Sequence, residues 1–467
     1  MKRFFACLLV LTMLFTTACG VAPDSSSVAP ESGSAQESGD SNTAPSGEPV
    51  YINADNSIAG IVRFWIPFSG PQGMDAMIAD FNSVYPNIKV ELNTYNNNTD
   101  GNVAVNTAMM AGEVDVLHSF GLANAYGRWE SGLYRDITDA IAADNLDLVT
   151  EWGTDAYKYD GRVYSLPAGA LSYYIAINKT EWEKANLGDI PTEWTWDEYL
   201  EASKAMTHGE GNNKVYGGSD YHSEWYVTLP VSQVTGRGGY YNEDGTSAAD
   251  TSIFKEALER EVQAEQVDGI WFPLTSYKAD NLQSQMTFLS GTTASTIICN
   301  LHRFLRDTET YPVDWVTAFA PYPTHEAGQP NHMEGVSPFS HVGIATSSPK
   351  ENYEASYAFL KWYSTYGCKY LVLAGHLPSW KHSDVDSMVD LIFGADADKL
   401  VDVESFKRVV FNYEGLNWVD VELTAYSEVA NLYKEYVNYV HNGEMNTDDA
   451  LAELKKITDE VIAKAKS

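Results

Sequence analysis

Ile58-Ala59-Gly60-Ile61-Val62-Arg63-Phe64-Trp65-Ile66 is a short apolar run that opens a strand, closed by Pro67 and the turn residues Ser69-Gly70-Pro71. Beyond the turn, Met74, Met77, Ile78, Phe81 and Tyr85 fall on one face of a helix that stops before Pro86. Ile88-Lys89-Val90-Glu91-Leu92 alternates as a second strand. A helix through Val103–Ala111 ends at Gly112, and Val114-Asp115-Val116-Leu117 reads as a buried strand. Strands alternating with helices of this length predict a parallel sheet covered by helices on both faces. In such α/β sheets ligands sit beyond the carboxyl ends of the strands, here Trp65-Ile66-Pro67 and His118-Ser119-Phe120.

The alternation resumes after Gly161-Arg162-Val163-Tyr164-Ser165-Leu166-Pro167. Tyr173–Ile177 reads as a strand, Asn178-Lys179 opens a helix, and Trp194-Thr195-Trp196-Asp197-Glu198 starts another with its acids in the first turn. Thr447-Asp448-Asp449 leads a last helix, with Leu451, Leu454, Val461 and Ile462 on one face. A body of this length exceeds one hydrophobic core and predicts two lobes. The net charge of −34 argues against nucleic acid and against docking on anionic lipid. Of four Cys, Cys299 and Cys368 fall in the body, with no C-x-x-C spacing; a single bridge or two buried thiols both fit.

The chain starts with Met1-Lys2-Arg3, an apolar run from Phe4 to Phe15, and Thr16-Thr17-Ala18-Cys19-Gly20. Two cations, a short apolar core and small residues describe a secretory signal over residues 1–18 rather than a spanning helix. Cys19 after small residues resembles the bacterial lipobox, with Thr16 where Leu is usual, which implies lipidation at Cys19. Residues 19–50 are rich in Ser, Pro, Gly and acids, with no aromatic residue, Lys or Arg. That composition predicts a disordered tether holding the body at the extracellular face of a bacterial membrane.

Phe81-Asn82-Ser83-Val84-Tyr85-Pro86-Asn87-Ile88-Lys89-Val90, Met110-Ala111-Gly112-Glu113-Val114-Asp115-Val116, Gly132–Thr138, Gly161–Pro167 and Trp194–Tyr199 occur in sequence order and at family-like spacing. In these stretches the chain resembles the extracellular solute-binding proteins of carbohydrate ABC importers, the maltose-binding-protein class. The resemblance implies a two-lobed, periplasmic-binding-protein-like α/β fold with hinge-linked lobes and a ligand cleft. It places an N-terminal lobe at 51–167 plus about 320–380, and a C-terminal lobe at 168–319 plus about 381–467. Crossings between lobes are expected near Pro167, at Ala320-Pro321-Tyr322-Pro323, and after Leu377-Pro378-Ser379-Trp380. It further implies capture of a sugar, an oligosaccharide given the many aromatic residues, by a monomer that delivers it to ABC permease subunits. No cofactor or metal and no chemistry are implied.

Sugar recognition needs flat apolar ring faces and short polar groups. The candidate ligand residues are Trp65, His118 and Ser119 at strand ends; Trp225 and Tyr226, next to a stretch resembling a ligand contact of the family; Asn300 and His302 after a strand; and Phe339 and Trp418. Each has a plainer reading, as core packing for the aromatics and as a structural group for the histidines. Enzyme signatures are weak. Gly335-Val336-Ser337-Pro338-Phe339 lacks the second Gly of a nucleophile elbow, and His325-Glu326 has no second His at helical spacing. With 64 acids a carboxylate pair could face a cleft, so a secreted, lipid-anchored glycoside hydrolase is the alternative reading.

Overall fold

A computed structural model describes residues 55–67, 73–220, 224–420 and 424–467, excluding the side chain of Trp225. The signal, Cys19 and the tether lie outside the described residues. The strands in chain order are β1 (Gly60–Ile66), β2 (Ile88–Thr94), β3 (Val116–Phe120), β4 (Lys158–Tyr159), β5 (Arg162–Val163), β6 (Ser165–Pro167) and β7 (Gly169–Leu171). They continue with β8 (Tyr174–Asn178), β9 (Ser295–Ile298), β10 (Thr317–Pro321), β11 (Ser337–Pro338), β12 (Ser340–Ile344) and β13 (Leu377–Pro378).

The first sheet has the order β2-β1-β3-β12-β6. Its β1, β2 and β3 run parallel, as the opening alternation predicts, while β12 returns antiparallel to both β3 and β6. Val62, Phe64 and Ile66 of β1 point into a core with Met77 and Phe81, and Phe64 meets Phe359 and Tyr363 edge-on at 4.8 and 5.0 Å. The second sheet, β10-β8-β9, is antiparallel throughout, unlike the parallel sheet expected from the alternation. Its strands come from segments far apart in the chain, so direct βαβ crossovers do not set their directions. Tyr174, Phe319 and Phe406 fill the core on one side, and Ile175, Ile177, Trp196 and Trp271 fill that on the other. Helix Trp196–Met206 starts where its sequence predicts, and a reciprocal cap holds that start. Thr195 Oγ1 accepts from the Glu198 N–H at 3.4 Å, and Glu198 Oε2 accepts from the Thr195 N–H at 2.7 Å.

The third sheet, β11-β7-β13, consists of the three segments that pass between the lobes. Ser337 and Pro338 pair with Leu171 and Ala170, and Leu377 and Pro378 pair with Ala170 and Gly169. β7 directly follows Pro167, beside the first expected crossing, and β13 at Leu377–Pro378 lies just ahead of the third one expected after Trp380. The second does not fall at Ala320–Pro323: Pro321 ends a strand of the second sheet, and Tyr322 and Met333 are buried in the second lobe. The chain rejoins the first sheet only at Ser340. Both body cysteines are buried free thiols. Among the described residues no helix is long and apolar enough to cross a membrane.

Two buried ionic contacts lock the lobes internally. In the first, Asp115 takes the Arg63 N–H and Nε–H at 2.9 Å, the Arg63 guanidinium again at 2.7 Å, and Ser348 Oγ at 2.6 Å. Burial pushes the Asp115 carboxyl upward, but these donors outweigh it and hold the group below the usual carboxylate range. In the second lobe His441, on helix Tyr426–His441, lies between Glu261 at 3.5 Å and Glu265 at 3.4 Å. Burial disfavours its charge, yet the two carboxylates raise its pKa to about 9.

Asp115→Ala strands the Arg63 guanidinium and the Ser348 hydroxyl, and should cost about 3 kcal/mol in urea unfolding monitored by circular dichroism. His441 has a folded pKa above its unfolded value, so its stabilisation is complete below about pH 6.5 and is lost as pH rises through about 9. Melting temperatures measured from pH 6 to 10 should therefore fall across that window, and the slope should flatten in His441→Gln.

Candidate functional site: an aromatic cavity between the lobes

A cavity of about 280 Å3 opens where the first lobe, the crossing sheet and the second lobe meet. The first lobe contributes Gly121, Leu122 and Ala123, immediately past the carboxyl end of β3. The crossing strands contribute Leu171, Ser337, Pro338 and Phe339, and the second lobe supplies Tyr173, Tyr240, Trp418, Asp420 and Tyr426. Five of the lining residues, Tyr173, Tyr240, Phe339, Trp418 and Tyr426, are aromatic. Tyr173 and Trp418 lie 6.3 Å apart at 40°, and Tyr240 and Tyr426 meet edge-on at 5.6 Å. Phe339 stacks at 5.2 Å on Phe120, which also meets His376 at 4.7 Å.

Polar groups are few. The Trp418 backbone N–H donates to Ser337 Oγ at 3.2 Å, while the buried indole Nε1–H of Trp418 has no hydrogen-bond partner among the described residues. Burial raises the Asp420 carboxyl to a pKa of about 6, although a hydrogen bond from Tyr426 pulls the other way. Asp420 fits because residue 238 is glycine: a Cβ there would stand 1.8 Å from Asp420 Oδ1.

Phe339 and Trp418 thus lie on the cavity wall. Tyr226 stands one layer behind, its ring edge-on to Tyr173 at 5.7 Å and its hydroxyl near Cys299 Sγ at 3.7 Å. Trp225 has its side chain outside the described residues. The remaining candidates do not line the cavity. Trp65 is partly buried against the first-lobe core. His118 is fully buried with Nδ1 on Tyr363 Oη at 2.9 Å and Nε2 on Ser340 Oγ at 2.8 Å, and burial drives its pKa down to about 3. Ser119 is buried and accepts from Arg128. His302 is enclosed within the second lobe beside Phe406, where burial lowers its pKa to about 3. Asn300 is half-buried past the end of β9.

The strand-end rule points to β3, and the cavity lining starts at the residue after its last one. In β3 every residue is buried, because β1 and β12 flank the strand on both edges, so access begins only at Gly121. Tyr173, Tyr240, Asp420 and Tyr426 were missed. The glycines of Gly236-Arg237-Gly238-Gly239 were a usable signal, since they let the chain approach Asp420 and Thr228 closely.

Residues 68–367 match the family described as bacterial extracellular solute-binding protein. The chain belongs to that family. As a solute-binding protein it shares its fold with a sugar transporter from Rhizobium etli solved in an open conformation, at a TM-score of 0.71 and 17% identity, covering 87% of this chain and 99% of the other. An ABC substrate-binding protein from Listeria monocytogenes in complex with cycloalternan matches at a TM-score of 0.68 and 18% identity, over 87% and 99% of the two chains. The sugar-binding protein MalE from Xanthomonas citri matches at a TM-score of 0.66 and 18% identity, over 87% and 98%. No curated protein sequence matches significantly. The fold is accordingly the two-lobed α/β architecture of solute-binding proteins.

Replacing Gly238 by Ala should displace Asp420 from the cavity wall while leaving the lobes folded. A 15N-labelled sample should show shifts confined to the 236–240 and 418–426 segments, whereas spectrum-wide changes would mean that Gly238 supports the whole lobe.

Proposed function

We propose that this protein captures an extracellular sugar, an oligosaccharide, in the cavity between its lobes and delivers it to the permease of an ABC transporter. The observation that carries the reading is the cavity wall: ring faces of Phe339, Tyr173 and Trp418 beside an orphaned indole N–H and one carboxylate. Sugar rings present apolar C–H faces to aromatic planes, and their hydroxyls both donate to a carboxylate and accept from an N–H. Structural neighbours named for sugar, cycloalternan and MalE support the same class of solute. The two lobes, joined through β7, β11 and β13, close on the solute by bending this crossing sheet. The protein works as a monomer without a cofactor, fixed outside the cell by a lipid on Cys19. Binding rather than hydrolysis is favoured, because among the described lining residues Asp420 is the sole carboxylate and glycoside cleavage uses two.

Titration calorimetry against a panel of neutral oligosaccharides tests the reading directly. Trp418→Ala and Phe339→Ala should each weaken the best ligand by about tenfold to a hundredfold, matching about 1–3 kcal/mol for a lost ring face. Affinity within about twofold of wild type in both variants would place the sugar elsewhere. Release of reducing sugar during the titration would favour a hydrolase instead. Because Asp420 titrates near 6, affinity should change between pH 5 and 7 and become flat in Asp420→Asn. Cys19→Ala should move the protein from the membrane fraction to the medium.

A further inference from the structure

A second cavity, of about 320 Å3, also lies between the lobes, and its wall has the opposite electrostatic character. It shares two segments with the aromatic cavity. Val336 lines the second and Ser337 the first; Asn417 lines the second and Trp418 the first. The first lobe supplies Trp152 and Gly153, the chain beyond β13 supplies Ser379 and Lys381, and the second lobe adds His332 and Tyr413.

In a chain of 64 acids against 30 Lys and Arg, no carboxylate is among the described residues lining this cavity. Its cation is Lys381. Among the described residues Lys381 forms no ion pair, although the adjoining His382 lies 3.6 Å from Glu151. Glu151 itself is turned to Trp380, whose Nε1–H it accepts at 2.8 Å. Gly153 sits in the left-handed region at φ 74°, and a Cβ there would stand 3.5 Å from Asn417 Nδ2 and 3.6 Å from Lys381 Cδ. The amide and the lysine stem therefore converge over the bare glycine. Ser379 is 2% exposed, and its Oγ has no hydrogen-bond partner among the described residues. A buried, unpaired hydroxyl is costly unless something completes it.

We infer that this cavity is a second binding site, for a sugar-sized anion such as a hexuronic acid or a hexose phosphate. The carboxylate or phosphate pairs with the Lys381 ammonium, Ser379 Oγ and Asn417 supply hydrogen bonds, and the absence of a lining carboxylate removes the repulsion that the rest of the surface would impose. The volume lies at the small end of ligand pockets and is similar to that of the aromatic cavity. Such an anion arrives either as a free acid or as the acidic ring of a longer solute whose neutral rings lie in the aromatic cavity; the recognising chemistry is the same.

Calorimetry with D-glucuronate and glucose 6-phosphate, against glucose at matched ionic strength, tests the site in wild type, Lys381→Met, Ser379→Ala and Trp418→Ala. A glucuronate-bearing oligosaccharide and its neutral parent complete the panel. A free-acid site predicts binding of the acids over glucose, at least tenfold weaker in Lys381→Met, weakened in Ser379→Ala and unmoved by Trp418→Ala. An extended solute predicts that the acidic oligosaccharide outbinds its neutral parent, an advantage erased by Lys381→Met. If no acidic probe outbinds its neutral counterpart, or Lys381→Met changes nothing beyond twofold while circular dichroism shows a native fold, the inference is overturned. Neutral oligosaccharide binding on the same samples separates that failure from a failure of the aromatic cavity.

Discussion

Ser340 joins the place where the chain first leaves the first lobe to the place where it comes back. Its Oγ accepts the Gly169 N–H at 2.7 Å and lies 2.8 Å from His118 Nε2, while its carbonyl takes the Ala168 N–H at 3.2 Å and the Tyr157 hydroxyl at 3.0 Å. Residue 169 must be glycine here, since a Cβ would stand 2.7 Å from that same hydroxyl. The partner histidine is held neutral by burial, and its far nitrogen is fixed to Tyr363. A neutral, fully paired polar cluster in a low-dielectric interior is stiff, because each member would lose a partner it cannot replace. The crossing sheet consequently starts from a rigid base in the first lobe.

That base sits beside the aromatic cavity. Phe339, the residue before Ser340, faces the cavity and stacks on Phe120, and the Gly121 N–H donates to the Phe339 carbonyl at 3.1 Å. His376, near the third crossing, stands against Phe120 in turn. One ring thus touches the cavity, the end of a first-lobe strand and two of the three crossing segments. A solute packed on Phe339 would act on the element through which the lobes are joined, which is what coupling binding to lobe movement requires.

Charge is distributed to the same end. The chain carries −34 overall, yet its buried acids are mostly spoken for, Asp115 by Arg63, Glu261 and Glu265 by His441, and Glu224 by Lys278 and Asn438. Asp420 lies instead in the aromatic cavity, with burial raising its pKa and a hydrogen bond from Tyr426 opposing that rise. Across the shared strand and loop, the neighbouring cavity offers an ammonium instead. The two interlobe spaces are therefore electrostatically distinct even though they share walls.

The sequence by itself determined the local structure and the class of fold. The period of Met74, Met77 and Phe81, the alternation in β2 and the helix start at Trp194–Glu198 are all short-range patterns, and short-range backbone and side-chain preferences write them directly. What only the tertiary structure decided was access. His118, Ser119 and His302 read as polar groups at element ends, and they are buried because strands and helices distant in the chain close over them. Tyr173, Tyr240, Trp418 and Asp420 come from three separate segments, and nothing within any one of them signals that the other two share its cavity. The return crossing moved from Pro321 to Ser340 for the same reason. Strand pairing is a property of two segments at once, and a pattern read along one of them cannot report it.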